Sequence, residues 1–306
     1  MQNTSDSYNF IPARYRVISG SVLKTVAVVT MLIDHIGAGL LLPLYLRGVY
    51  PFGFTQYEAY VFYRVFRSIG RVAFPIYCFL LVEALFYTTN RLRYFLVMLL
   101  FALLSELPFD LALSSPYAAG EGFSPLETLR INESHVLTSQ NVFLTLALGF
   151  LCIWGIHAVT DRLQRILTTQ EVRRGNERDS AFSLPFYLLM ALASFLLIYA
   201  ACVLANVFYV DYKHRGILLI VIFYLLRRFR PLALAAGFFY IGNLAYMPET
   251  GFDISAWSSE FWSFPAFLLL LLYNEKRGFI RGKMKYAFYA FYPVHLLVIY
   301  GVRIML

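Results

Sequence analysis

Charged residues are scarce in this chain. Only 14% of its 306 residues are charged, whereas 59% are hydrophobic, and its mean hydropathy is +0.63. Soluble domains carry roughly a quarter charged residues, so this composition excludes an ordinary soluble fold. Long apolar runs between short polar segments are typical of proteins that cross a membrane several times. We therefore predict an all-α, polytopic membrane helix bundle.

Other signals are missing as well. The three cysteines, Cys78, Cys152 and Cys202, all lie inside apolar runs, so we expect neither a disulfide framework nor a zinc site. There is no P-loop, no dinucleotide-binding fingerprint, no Gly-x-Ser-x-Gly elbow and no His or Cys pair with metal-ligand spacing. Nucleotide-driven hydrolysis, serine-hydrolase chemistry and metal catalysis are therefore disfavoured. The net charge of +8 does not indicate nucleic-acid binding, because in a membrane chain the basic residues report orientation.

We predict about nine membrane-spanning helices in a single domain, residues 19–306, after a polar tail of residues 1–18. The predicted spans are residues 19–42, 60–87, 94–113, 138–160, 182–209, 216–227, 232–247, 261–273 and 286–304. Pro43 is expected to begin a loop, and an acidic loop containing Glu260 precedes the eighth span. Most of the 26 Lys and Arg residues fall in segments that are cytoplasmic if the N-terminus is inside, so the positive-inside rule predicts a cytoplasmic N-terminus.

An ionisable pair, Asp34 and His35, lies deep inside the first span. Ionisable groups at membrane depth are costly, so the pair is a functional hypothesis by default; the alternative is that it only joins helices. Lys24 precedes His35 by eleven residues, which places the two on nearly one helix face, roughly 16 Å apart. With the N-terminus inside, Lys24 is expected at the cytoplasmic edge of the span and His35 past the midplane, toward the outer half. Asp34 points about 100° away from His35 and is expected to hold another polar group.

Three arginines, Arg64, Arg67 and Arg71, form one stripe down the second span. Guanidinium groups bind phosphate and carboxylate, so the stripe suits an anionic ligand; the alternative for Arg64 and Arg67 is that they extend outward to the interface. Arg71 is too deep for that, and between Gly70 and Pro75 it is expected to line a cavity where the helix is distorted.

Further polar groups occur in later spans. Glu106 and Asp110, near the end of the third span, are candidate acidic counterparts of the arginines. Asn141 and Thr145, one turn apart, either line a cavity or join helices. His295, beside Pro293 in the inner half of the ninth span, has a direct role or forms a helix-to-helix hydrogen bond.

Six segments together resemble one known family, the TraX family, named for an enzyme that N-acetylates conjugative pilin. They are Leu23-Lys24 through Asp34-His35-Ile36-Gly37, Gly70-Arg71-Val-Ala-Phe74-Pro75, Leu104-Ser105-Glu106-Leu-Pro108-Phe109, Asn141-Val-Phe-Leu-Thr145-Leu, Asp211-Tyr with Gly216, and Phe291-Tyr-Pro293-Val-His295-Leu. The resemblance covers residues 20–305 in matching order. A more distant similarity is to the acyltransferase-3 family, in which an arginine occupies the position of Lys24; lysine keeps the charge but not the fork geometry.

The resemblance implies transmembrane transfer of an acetyl group from cytoplasmic acetyl-CoA to an amine or hydroxyl acceptor, in a bacterial cytoplasmic membrane. His35, with Asp34 beside it, is then the expected general base, since a neutral imidazole suits that task. We expect donor binding at Lys24, Arg71 and His295, and contacts to the acceptor or the developing oxyanion from Arg67, Glu106, Asn141 and Thr145. Direct transfer and an acetyl-histidine intermediate both remain open, as does the acceptor.

A transporter or flippase for an anionic solute is the alternative function, because of the arginine stripe. Transporters often show related halves with broken helices, and this sequence shows no internal repeat. A third class, a membrane scaffold held by buried pairs, predicts that no ligand changes thermal stability.

Overall fold

The computed structural model describes residues 10–114, 124–173, 180–249, 251, 253, 255, 257–280, 282 and 284–306. Half of the predicted tail, residues 1–9, therefore lies outside the described residues. The described part is helical, and its only β contacts are two isolated bridges, Ile18 with Tyr273 and Gln140 with Val210. The α-helices are α1 (Gly20–Ile36), α2 (Leu42–Leu46), α3 (Gln56–Gly70), α4 (Ala73–Tyr87), α5 (Arg91–Phe109), α6 (Pro125–Ile131), α7 (Glu133–Val136), α8 (Val142–Arg173), α9 (Ser180–Val207), α10 (Lys213–Leu225), α11 (Arg230–Gly242), α12 (Phe264–Leu271) and α13 (Met284–Arg303).

Every predicted span is helical, and among the described residues five helical segments are long and apolar enough to cross a membrane. These segments are Gly20–Leu46, Gln56–Tyr87, Arg91–Leu113, Val142–Thr169 and Leu184–Val207. The remaining helices, α10 to α13, contribute to the bundle without meeting that length and hydropathy standard. The total of nine crossings and the cytoplasmic N-terminus stay predictions.

Polar caps explain where the long helices begin. Ser19 accepts the Val22 amide at the start of α1, and Asn90 accepts the Arg93 amide at the start of α5. Thr55 opens α3 with a capping box in which its hydroxyl and the Glu58 carboxylate satisfy each other's backbone amides. These contacts supply partners for amide groups that the first helical turn leaves unpaired.

The first helix does not end at Pro43, so that prediction was wrong. A π-helical turn, Gly37–Leu41, continues α1 directly into α2, and Pro43 lies in the first turn of α2. Proline is tolerated there because the wider π turn just before it changes the hydrogen-bond register of the helix at the point where proline has no N–H to donate. The loop begins only after Leu46.

Two other departures from regular α-helix shape the interior. The second predicted span breaks at Arg71 and Val72, between α3 and α4, which confirms the distortion expected from Gly70 and Pro75. A second π-helical turn, Asp110–Ser114, ends α5. It packs against the first one: a Cβ added to Gly39 would lie 3.1 Å from the Ala112 carbonyl oxygen.

The two ends of the bundle are each tied by long-range contacts. At the Lys24 end, the Gly20 amide donates to the Lys276 carbonyl at 2.8 Å. At the other end, the buried Arg303 of α13 donates to the Leu111 and Ala112 carbonyls at 2.6 and 2.8 Å. One hydrophobic cluster, extending in sequence from Leu23 to Tyr300, fills the space between them.

Candidate functional site

Two histidines that lie 260 residues apart meet in the bundle interior. Nδ1 of His35, on α1, lies 2.6 Å from Nε2 of His295, on α13, and the two rings are parallel within 2°. Their exposed fractions are only 8% and 5%. Because they touch, they share one depth, so the prediction that His295 lies in the inner half and His35 in the outer half was wrong. The contact joins the first and last helices of the bundle.

The surroundings of the histidine pair are aromatic. Phe291 stacks on His295, while the buried Tyr292 presents its ring at 72–74° to both imidazoles, with centroids 5.6 and 5.7 Å away. Nδ1 of His295 also lies 2.7 Å from the Phe291 carbonyl oxygen, one turn earlier on the same helix. Aromatic rings on several sides fix the two imidazoles in place and exclude lipid.

Asp34 faces away from the imidazoles, as its position on the helix predicts, and holds both deep arginines. Its carboxylate accepts from Arg67 at 2.6 Å and lies 3.5 Å from Arg71. Arg71 in turn donates to Glu260 at 2.7 Å. Gly70 makes this approach feasible, because a Cβ there would lie 2.1 Å from the Asp34 carboxylate. Two positive and two negative side chains therefore compensate each other, as buried charges require.

The acidic partners of the arginines differ from those predicted. Glu106 and Asp110 were the candidates, but Asp34 and Glu260 make the contacts. The reason is that α3 packs mainly against α1 and the 3-10 turn Ser259–Ser263, which precedes α12, and not against α5. Both deep guanidinium groups are consequently occupied by carboxylates.

Asn141 and Thr145 are committed to contacts that join helices. The Asn141 amide donates to the Glu106 carboxylate and, at 2.8 Å, to the Ala102 carbonyl, while its oxygen accepts the Phe143 amide and so caps α8. The Thr145 hydroxyl donates to the Asp211 carbonyl. With these donors engaged, an oxyanion role for either residue requires a rearrangement of the site.

Lys24 lies apart from this cluster, at the start of α1. It is half-buried, and the helix face between it and His35 carries the buried apolar residues Ala27 and Met31. The face is thus packed, and the roughly 16 Å between Lys24 and His35 is not lined by polar groups. A donor held at Lys24 reaches His35 only by way of a different face or a movement of these side chains.

Three site residues were missed by sequence reasoning. Glu260 falls in the acidic loop that the sequence predicts before the eighth span, yet its side chain is buried against Arg71. Tyr212 stacks on Phe74 at 3.7 Å, with its hydroxyl 3.5 Å from Arg71, and Tyr292 contacts both histidines. For the tyrosines a local signal exists, since both lie in segments that carry the family resemblance, Asp211-Tyr and Phe291-Tyr-Pro.

Comparison with known proteins places this arrangement in a family. The family model described as TraX protein matches residues 19–303, which is nearly the whole chain and includes both histidines. The chain belongs to the TraX family. It is also 27% identical, over 289 residues, to a protein described as probable fimbrial assembly protein FimC, serogroup H1, of Dichelobacter nodosus. That alignment covers 93% of this chain and 95% of the relative. No solved structure matches the chain.

Family membership and the five long apolar helices together make this TraX-family chain an integral membrane protein. Its interior contains an imidazole pair, His35 with His295, next to a charge-compensated network of Asp34, Arg67, Arg71 and Glu260. An imidazole can accept and return a proton, and fixed guanidinium groups can orient a polar substrate without themselves reacting. The arrangement is suited to proton transfer in a site shielded from bulk water.

Proposed function

We propose that this TraX-family protein is a transmembrane acetyltransferase that moves an acetyl group from cytoplasmic acetyl-CoA to an amine or hydroxyl acceptor. The observation that carries the proposal is the buried, hydrogen-bonded pair of His35 and His295 in the core of the bundle. A purely structural helix contact would need no adjacent charge network. The membrane we propose is the cytoplasmic membrane of a bacterium.

In the proposed reaction, His35 is the general base. It takes the proton from the acceptor nitrogen or oxygen as that atom attacks the thioester carbonyl carbon. The carbon–sulfur bond then breaks, and the proton passes from His35 to the departing thiolate, which leaves as coenzyme A. A route through acetyl-histidine, in which His35 itself attacks the thioester, uses the same residue and remains an alternative.

The supporting residues divide by position. Lys24 and the basic residues at its end of the bundle are proposed to bind the phosphates of the donor, because that end is predicted to face the cytoplasm. Asp34, through its contacts with Arg67 and Arg71, is proposed to orient the polar walls around the acceptor. A fimbrial subunit is the first acceptor to examine, because the similar Dichelobacter nodosus protein is named for fimbrial assembly.

The alternative function, an anion transporter, has less support than the sequence alone gave it. It depended on a stripe of three arginines, and two of the three, Arg67 and Arg71, are paired with carboxylates. An anionic solute would therefore have to displace Asp34 or Glu260 to be bound. Arg64, the third, is exposed.

The test is acetyl transfer by purified protein in detergent, with radiolabelled acetyl-CoA and three acceptors: a fimbrial subunit with a free N-terminus, a glycan and a small amine. We expect His35→Gln to lose at least about 100-fold in rate, the usual contribution of a general base. His214→Gln is the matched control, because His214 is partly exposed at the beginning of α10, and we expect it to retain the wild-type rate.

Two outcomes would contradict the proposal. One is a His35→Gln protein that transfers label as fast as the wild type. The other is a wild-type protein that transfers no label to any of the acceptors but moves an anionic solute in proteoliposomes. Heat stabilisation by acetyl-CoA, and not by a truncated analogue lacking the thioester, supports donor binding independently.

A further inference from the structure

The hydrogen bonds of the histidine pair define which nitrogen carries each proton. Nδ1 of His295 lies 2.7 Å from the Phe291 carbonyl oxygen, which can only accept, so this nitrogen bears a hydrogen. A neutral imidazole has one N–H, so Nε2 of His295 is a bare acceptor. Nδ1 of His35, 2.6 Å away, must then be the donor. The lone pair of His35 is left on its other nitrogen, Nε2.

The neutral state of both rings follows from their surroundings. Neither imidazole forms an ion pair with a carboxylate among the described residues, because Asp34 is turned toward Arg67 and Arg71. An imidazolium buried without such a partner is costly. The only described groups in hydrogen-bonding contact with the pair are therefore neutral. The hydrogen bonds run from His35 to His295 and from His295 to the Phe291 carbonyl.

Nε2 of His35 is the end of this series of hydrogen bonds that has no protein partner among the described residues. This nitrogen is not fully enclosed, in contrast to the buried polar atoms there that lack a partner. His35 as a whole retains an 8% exposed fraction. The unshared pair therefore borders accessible space, where a reacting group can approach it.

We propose that His295 is a positioning residue that holds His35 in its Nδ1–H tautomer, so that Nε2 is the basic atom. The catalytic consequence rests on the acetyltransferase function proposed above. When Nε2 takes the acceptor's proton, His35 becomes an imidazolium whose Nδ1–H already donates to His295. The Phe291 carbonyl anchors the far side of His295, and the proton on Nε2 is then returned to the leaving thiolate.

The direct test is the tautomer itself. Nitrogen-15 NMR of protein labelled only at histidine distinguishes a protonated ring nitrogen from a bare one, and the spectrum of His35→Gln identifies the His35 signals by their disappearance. We expect His35 to be protonated at Nδ1 and bare at Nε2 in the wild type. In His295→Leu, which removes the acceptor, we expect the proton to be distributed between the two nitrogens.

The kinetic test separates positioning from mere folding. We expect His295→Leu to lower kcat about 10- to 100-fold with little change in KM for acetyl-CoA, because the imidazolium formed in the reaction loses the acceptor of its Nδ1–H and part of the protein population holds the proton on Nε2. His295→Gln, whose amide oxygen can accept from Nδ1–H, should recover much of that loss. Thermal unfolding of both variants controls for stability.

The outcomes distinguish the two proposals. A wild-type His35 protonated at Nε2, or a folded His295→Leu protein with wild-type kcat, would overturn the positioning role. A wild-type protein without any transfer activity would overturn the acetyltransferase function, while the NMR result would still decide the tautomer.

Discussion

Replacing Gly70 with alanine tests how closely α1 must approach α3. A Cβ at this position would lie 2.1 Å from Oδ1 of Asp34 and 2.2 Å from its Cβ. Non-bonded carbons reach their optimum separation near about 3.5 Å, so the helices must move apart by roughly 1 Å or more. Rotation of the Asp34 side chain cannot relieve the clash, because its Cβ is fixed to the helix backbone.

The expected energy has opposing contributions. Alanine is the better helix former, which favours the variant by about 1 kcal/mol. Overpacking costs about 1–3 kcal/mol, and weakening the contacts of Asp34 with Arg67 and Arg71 adds to it. The ionic contribution lies toward its lower range, since the side chains of Asp34 and Arg67 are still 15% and 28% exposed. We expect a net loss of about 2 kcal/mol in the free energy of unfolding.

Thermal unfolding of the detergent-solubilised protein measures this. A loss of that size should lower Tm by about 3 °C in a chain of this length. Gly301→Ala is the matched control, since Gly301 is also helical, in α13, and no atom lies within 4 Å of its added Cβ. It should raise Tm slightly. The reasoning is refuted if Gly70→Ala unfolds at or above the temperature of Gly301→Ala.

Three further changes probe other parts of the structure. Arg303→Lys should lower Tm, because an ammonium cannot match the guanidinium fork that binds two carbonyls of the turn Asp110–Ser114. Leaving one of these carbonyls unpaired costs about 1–3 kcal/mol, and an unchanged Tm would show that the two hydrogen bonds do not stabilise the protein. Glu260→Gln should also lower Tm, since Arg71 then keeps a single carboxylate partner, and a Tm at the wild-type value would show that the pair contributes nothing. If Lys24 binds the donor, Lys24→Met should raise KM for acetyl-CoA about tenfold with kcat unchanged, as expected for loss of uniform binding; equal KM values would remove Lys24 from donor binding.

The helices could be predicted from the sequence, because their determinants are local. Apolar runs of sufficient length, interrupted by polar segments, located helix in each predicted span, and Gly70 with Pro75 located the break in the second one; the short helices α6 and α7 have no such run and were not predicted. Pro43 misled the prediction because a π turn, which has no simple sequence signature, carried the helix through it.

The partners of the buried polar groups could not be predicted in the same way. The contact of Arg71 with Glu260 joins residues 189 positions apart, and that of His35 with His295 joins residues 260 apart. Helical periodicity shows that a residue is on a buried face, but the residue opposite depends on how the helices pack. For this reason Asp34 was correctly expected to hold a polar group, while the acidic partners of the arginines were assigned to the wrong helix.

Asp34 and His35 are neighbours on α1, and their separation of about 100° around the helix lets the two side chains reach different helices. One side chain engages Arg67 and Arg71 and the other engages the imidazole of α13, so a single turn of helix joins the charged network to the histidine pair. The contacts of Asp34 with Arg67 and Arg71 therefore anchor the same turn of α1 that carries His35, although none of the four charged side chains forms a hydrogen bond with the imidazole.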